Sequence, residues 1–142
     1  MIDRLYEASQ AGVEIDLIVR GICCLIPGQK YSRNIRVTRI VDTFLEHARI
    51  WYFGNGGNPK LFLGSPDWMR RNLYRRIEAV TPILDPDAKQ ELIDMLSIQL
   101  SDKRKACFVD ENLHNCWKSA HPLKEKVRSQ YTFYEYLKER IE

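Results

Sequence analysis

Two apolar periods take turns along this chain. Ile2, Leu5 and Tyr6, with Ser9, fall at helical spacing, and Gly12 follows where such a helix would be capped. Val13 to Arg20 alternates at first and then turns fully apolar, as a buried strand does, and Arg20-Gly21 ends it. Cys23-Cys24-Leu25-Ile26 closes in a Pro27-Gly28 turn, and Ile35-Arg36-Val37 reads as a short strand. Ile40, Val41, Phe44 and Leu45 form a stripe that predicts a helix ending at His47. Ile50–Phe53 and Leu61–Leu63 are β-rich runs on either side of Gly54-Asn55-Gly56-Gly57, and Asn-Gly between such runs is a strong signal for a tight hairpin.

Beyond the hairpin, Arg75 to Leu84 reads as a strand entered by basic residues. Asp85-Pro86-Asp87 opens a helix, with acids at its positive end and Pro in the first turn. Ala88, Leu92, Ile93, Leu96 and Leu100 are its expected buried stripe. Cys107-Phe108-Val109 is a further strand, and Tyr131, Tyr134, Leu137, Lys138 and Ile141 predict a final amphipathic helix. Strand and helix alternate through most of this, which places the chain in the α/β class with helices on the sheet faces.

At 142 residues the chain is expected to form one domain, 1–142, with room for a real core. Its 44% hydrophobic and 29% charged residues are ordinary for a soluble globular protein. No apolar run approaches the ~20 residues of a membrane span, and no secretory leader opens the sequence. Cytoplasm is therefore the expected compartment. The adjacent pair Cys23-Cys24 is a poor start for a disulfide framework, so reduced thiols are expected. A net charge of +3 permits an anionic partner without demanding one. Arginines do cluster, as Arg33, Arg36 and Arg39 and as Arg70, Arg71, Arg75 and Arg76. Such clusters suit nucleic-acid and inorganic phosphates alike, and are more often plain solvated faces.

The chemistry gathers around the hairpin. Pairing its strands would return His47 to the neighbourhood of Ser65 and Asp67, joining an imidazole, a hydroxyl and a carboxylate at a sheet edge. At the end of a helix the dipole would stabilise an imidazolium by about 0.3–2 kcal/mol, keeping a proton ready for donation. A histidine that merely caps the helix is the bland reading. Arg20 closes a strand where ligands of open α/β sheets collect, and an arginine paired to a surface carboxylate is the plain reading there.

Other constellations carry less. The Gly54–Gly57 loop lacks the Gly-Lys-Ser/Thr of a phosphate loop. Cys107 and Cys116 are too far apart for a usual zinc site with His114 and His121, so no metal ligand is expected. Trp51, Tyr52, Phe53 and Phe62 are explained by packing, while Trp68 beside Asp67 stays open as a stacking position.

His47-Ala48-Arg49, followed by Gly64-Ser65-Pro66-Asp67, resembles the half-site of the phospholipase D superfamily, His-x-Lys and then Gly-Ser-x-Asn. The longer text FLEHARIWYFGNGG, then GSPDWMRRNL and RRIE, with Val19 to Leu25 upstream, closely resembles the C-terminal region of the bacterial polyphosphate kinase family. The likeness runs from Leu5 to the end and is weakest after Asp102.

The resemblance implies a phospholipase D-like half, with a mixed sheet flanked by helices. It also implies truncation at the N-terminal edge, because family members carry a strand before the part matching Ile2. It implies reversible transfer of the ATP γ-phosphate to polyphosphate through a phosphohistidine in a preceding domain. The residue matching His47 is a general acid/base there, Arg20 and His47 contact ATP phosphates, and Ser65 and Asp67 support the site. Magnesium would be bound upstream. The implied partners are ATP or ADP, inorganic polyphosphate and the upstream domains, in a homo-oligomer when full-length and without nucleic acid. The implied location is cytoplasmic or peripheral at a membrane.

Arg49 in place of Lys, and Asp67 in place of Asn, agree with the kinase branch and weaken a phosphodiesterase reading. No second half-site occurs, so the chain alone is expected to carry half the machinery and no turnover. Two other classes stay open. Two copies could pair their half-sites into a phospholipase D-like phosphodiesterase or nuclease, or the chain could be a non-catalytic polyanion-binding module.

Overall fold

The computed structural model describes residues 1–141, with side chains as far as Arg140. In order, the elements are α1 (Ile2–Gln10), β1 (Ile15–Ile18), β2 (Ile35–Ile40), β3 (Ile50–Phe53), β4 (Lys60–Gly64), α2 (Arg70–Arg75), β5 (Val80–Pro82), α3 (Pro86–Ser101), β6 (Ala106–Val109), β7 (Asn115–Trp117) and α4 (Ser129–Ile141). They form two compact units, one made of Met1–Phe44 with the chain from Ser97 onward, the other of Leu45–Leu96. The α/β class and the mixed sheet with helices are as the sequence implied.

In the first unit a four-stranded sheet runs β1-β2-β6-β7. β1 and β2 are parallel, Ile15 opposite Ile35, while β6 and β7 are added antiparallel. Leu25, Ile35, Val37 and Val109 form the buried core, with Ile2, Leu5 and Tyr6 of α1 packed against it. The helical spacing of those three residues turns them onto one face, which is why α1 lies on the sheet. Gly12 ends the helix at φ +92°, and the amides of Gly12 and Val13 reach back to the carbonyls of Ser9 and Ala8. That left-handed turn is what a glycine allows without strain. β1 is an edge strand, so its residues are half-buried rather than buried as the apolar run suggested.

Two carboxylates hold the rest of this unit together. Asp102, wholly buried, accepts the amides of Arg104 at 2.8 Å, Lys105 at 2.7 Å and Ser129 at 2.7 Å, fastening the end of α3 to the start of α4. Asp42 receives Arg128 Nη2 at 2.6 Å and Nε at 2.8 Å, with its own side chain only 1% exposed. The Arg128 guanidinium also lies 4.2 Å from the Tyr131 ring centre. Next door, the Gln130 amide clamps Phe44, accepting its N–H at 2.8 Å and donating to its C=O at 2.7 Å.

The second unit is built on an antiparallel meander, β3-β4-β5. Its first ladder pairs Ile50 with Leu63 and Phe53 with Lys60, as the hairpin signal indicated. The connection from Gly54 to Pro59 is longer than a tight two-residue turn and contains a short 3₁₀ turn, Asn55–Gly57. Asn55 and Gly56 both take positive φ there. The Trp51 ring lies over Gly64, so that a Cβ on Gly64 would meet it at 2.5 Å. Trp68 stacks on Trp51 with ring centres 6.5 Å apart and planes 14° from parallel.

Several expectations need correction. No helix leads to His47: Ile40 ends β2, and residues 41–49 have no helix or strand. The stretch predicted as one strand from Arg75 contains the end of α2 and only three strand residues, Val80–Pro82. α3 begins as expected, with Asp85 Oδ1 accepting the Ala88 amide at 2.8 Å. Its stripe is half-buried at best, however, and Ala88 is exposed. On α4 the less exposed face carries Phe133, Tyr136 and Leu137 in place of Tyr131 and Tyr134, and the Ile141 side chain lies outside the described ones. β7 is a three-residue strand at Asn115–Trp117, where the sequence carried no expectation of one.

Two outcomes follow from this packing. The Asp42 carboxyl is held below the usual carboxylate range, first by its bonds to Arg128, against the opposing effect of burial. A carboxyl with a lowered folded value stabilises the fold above its unfolded value of about 3.9 and loses that contribution as pH falls through the folded value. Acid unfolding followed by circular dichroism should therefore show a component below about pH 4 that Asp42→Asn removes. Arg128→Ala, which leaves the Asp42 carboxylate without its partner, should lower the midpoint of urea unfolding. Gly64→Ala should cost about 1–3 kcal/mol through overpacking and change tryptophan fluorescence; an unchanged midpoint and spectrum would show that Trp51 moves aside freely.

Candidate functional site

Arg49 is the residue around which the half-site in the second unit closes. Its carbonyl accepts the Gly64 amide at 3.0 Å, one step beyond the β3–β4 ladder. Its Nε donates to Asp67 Oδ1 at 3.0 Å, and its Nη1 donates to the His47 carbonyl at 3.0 Å. One guanidinium thus ties the backbone at His47 to the Gly64–Asp67 segment. With Arg49 and Asp67 29% and 41% exposed, the ion pair contributes little to stability, about 0.2–1 kcal/mol. Its effect is geometric: it fixes which turn of the chain faces which. His47 is exposed and lies three residues before β3, so no ladder bond fixes its ring.

Ser65 is held from the other side. Its amide bonds to the Ala79 carbonyl at 3.0 Å, and its Oγ accepts the Ala79 amide at 3.1 Å. The hydroxyl proton goes to Glu78 Oε2 in a short bond. Glu78 Oε1 accepts from Asn72 Nδ2 at 2.8 Å, and Asn72 is buried. The Glu78 carboxyl is held below its ordinary value, first by the Ser65 hydroxyl and then by Asn72. Glu78 and Asn72 went unrecognised in the sequence. The signal available was a lone acid after Arg75-Arg76, and only the pairing of Gly64 with Val80 puts it beside Ser65.

In the first unit, Arg20 is exposed and stands two residues past β1, at the C-terminal end of the parallel pair. The backbone around it is held by Arg39, whose Nη2 donates to the Gly21 carbonyl at 3.0 Å and Nε to the Val19 carbonyl at 3.4 Å. Arg39 Nη1 also reaches Asn115 Oδ1 on β7 at 2.9 Å. Arg39 was visible in the sequence only as one member of a basic cluster. His47, Ser65 and Asp67 belong to one unit and Arg20 to the other.

The Cys/His group resolves into a hairpin turn. Asp110 accepts the amides of His114 at 2.7 Å and Asn112 at 2.9 Å, and His114 Nδ1 and Cys116 Sγ lie 3.5 and 3.7 Å from its second oxygen. Burial raises the Cys107 thiol above its ordinary value. Among the described residues, no three His, Cys, Asp or Glu side chains converge as metal ligands. Trp68 has one face on Trp51 and remains 41% exposed.

The family model described as polyphosphate kinase C-terminal domain 2 matches residues 1–130. The Escherichia coli K12 protein named polyphosphate kinase is 47% identical over 139 residues, covering 97% of this chain and 20% of that protein. The Synechocystis polyphosphate kinase is 59% identical over 107 residues, 75% of this chain and 15% of the relative. The crystal structure of polyphosphate kinase from Porphyromonas gingivalis matches with a TM-score of 0.93 at 57% identity, covering 98% of this chain and 21% of that one. The chain therefore spans about one-fifth of the length of the relatives it matches. Together with a half-site closed by Arg49, a match through 130 residues places this chain in the polyphosphate kinase C-terminal domain family.

Proposed function

We propose that the chain supplies one half of the catalytic centre of an ATP:polyphosphate phosphotransferase, the other half lying in the remaining four-fifths of such a protein. The observation that carries this reading is the Arg49 bridge. It holds the His47 backbone and the Gly64–Asp67 segment in one place, as a half-site requires. In the reaction, the bond between the β–γ bridging oxygen and the γ-phosphorus of ATP breaks, and ADP leaves with the electron pair. The phosphoryl group joins a histidine nitrogen of the preceding domain, then passes to the terminal oxygen of a polyphosphate chain. Such transfer asks the protein mainly for positioning and charge neutralisation.

His47, exposed at the end of its segment, holds or returns the proton as general acid/base. Arg20, on a backbone fixed by Arg39, offers a planar fork to two phosphate oxygens. Ser65 and Asp67 are already engaged by Glu78 and Arg49 and act as supports of the loop. Magnesium, which would neutralise phosphate charge, would be held by the upstream part. The same reading makes ATP or ADP, polyphosphate and the upstream domains the partners of this chain. It also makes the whole enzyme a cytoplasmic or peripherally membrane-bound homo-oligomer.

The test is a chimera in which this chain replaces the matching segment of the Escherichia coli relative. The chimera should incorporate label from ATP into polyphosphate, and the 142-residue chain alone should not. In the chimera, His47→Ala should lower the rate by about 10²–10⁴, while Arg20→Ala should weaken substrate binding by about 1.5–3 kcal/mol. Arg20→Lys should restore only part of that, since an ammonium lacks the fork. Near-normal turnover of the His47→Ala chimera across pH 6–9 would reduce His47 to a surface residue. Turnover by the isolated chain would remove the half-site reading altogether.

A further inference from the structure

The loop from Ile26 to Asn34 is fastened to α1 at both ends and at Tyr31, and is braced internally by Ser32. The Ile26 amide donates to the Tyr6 hydroxyl at 2.8 Å. Ser32, wholly buried, donates to the Ile26 carbonyl at 2.7 Å and accepts the Gln29 amide at 3.0 Å. Asn34 gives Nδ2 to the Ser9 carbonyl at 2.8 Å and its amide to Ser9 Oγ at 3.2 Å. The Tyr31 ring stands edge-on to Tyr6, 4.6 Å between centres. A loop held this way loses little freedom on binding.

What it presents is positive charge. Lys30, Tyr31 and Arg33 line a groove of about 410 Å³ with Gln10. Lys30 and Arg33 are exposed, and among the described residues neither has an ion-pair partner. Glu7 is committed to Arg4 at 2.6 Å and Glu14 to Arg36 at 2.9 Å, while the Glu111 carboxylate lies against Gly28 near the start of the loop. The C-terminus of α1 carries about half a negative charge, but its carbonyls at Glu7, Ala8 and Ser9 already accept the amides of Ala11, Val13 and Gly12. Lys30 and Arg33 are the charged side chains that line the groove.

We infer that this groove binds a short run of condensed inorganic phosphate, a second contact for the substrate class of the proposed function, on which the choice of ligand rests. It is separate from Arg20. Ile15 pairs with Ile35 where β1 and β2 begin and Ile18 with Thr38 where they end, so the loop stands at one end of the pair and Arg20 at the other. Strand residues rise about 3.3 Å each, which puts roughly 10 Å between those ends. An inorganic chain fits better than nucleic acid, because single-strand sites stack successive bases on several rings. Among the described residues the one lining ring is Tyr31, and it stands against Tyr6.

The experiment is a titration of the 142-residue chain with tripolyphosphate, followed by amide NMR. Resonances of residues 29–34 should shift and saturate. Lys30→Ala with Arg33→Ala should weaken that saturation about tenfold or more, as expected for two lost charged contacts, with spectra elsewhere unchanged. Lys30→Arg with Arg33→Lys should keep it. Shifts confined to Arg20, His47 or the α2 arginines would overturn the inference while leaving the transfer reading intact. An equal response to orthophosphate at matched concentration would also overturn it. Loop binding that persists when the chimera fails to transfer phosphate would instead count against the transfer reading alone.

Discussion

The Trp51 ring occupies the space where any other residue at position 64 would place its β-carbon. That one contact governs the second unit. It fixes why β4 ends in glycine, and a substitution there is opposed by packing before chemistry is considered. With Trp51 seated, Trp68 stacks on it, and Gly64 can bond Arg49 on one edge while pairing with Val80 on the other. The residues that look like a chemical signature, Gly64-Ser65-Pro66-Asp67, are therefore partly a packing signature. Gly64 serves the indole, Asp67 serves Arg49, and Ser65 serves Glu78.

The first unit solves a different problem. Its core of aliphatic side chains is small, and the long connections are held by carboxylates turned inward. Asp102 spends its charge on three backbone amides, and Asp42 on one guanidinium. A buried carboxylate is tolerable only when its oxygens are fully engaged, and both of these are. The partners come from 27 and 86 residues away in sequence, so these bonds select one arrangement of the chain over local alternatives.

That distance also decides what could be read from the sequence. Periodicity was enough for α1 and for the β3–β4 hairpin, since spacing and turn residues are local signals. It failed between Ile40 and His47. Ile40, Val41, Phe44 and Leu45 satisfy a helical stripe, but Asp42 and Phe44 are taken by Arg128 and Gln130, leaving the segment irregular. No local pattern announces a partner 86 residues on. The helix dipole invoked for His47 has no source once that helix is gone. Likewise β7 is three exposed residues whose only reason to be a strand is the register with β6. The half-site's members were legible as residue types, whereas Glu78, Asn72 and Arg39 became visible only through pairing.

Arg20 and the Lys30 loop show how one short parallel pair can serve two ends. At each end the backbone is held by side chains rather than by more sheet: Arg39 grips the carbonyls beyond β1, and Ser9, Ser32 and Tyr6 grip the loop before β2. Side-chain clamps of this kind fix the chain beneath the exposed Arg20, Lys30 and Arg33. A cation on a fixed backbone pays its ordering entropy at folding, not when an anion arrives. The cost shows in the first unit's buried polar groups, of which Ser9, Ser32 and Asp102 are held by hydrogen bonds while the Ser129 hydroxyl is left without one. Loss of Ser9 or Ser32 would thus act on anion binding through the loop's order, without removing any charge.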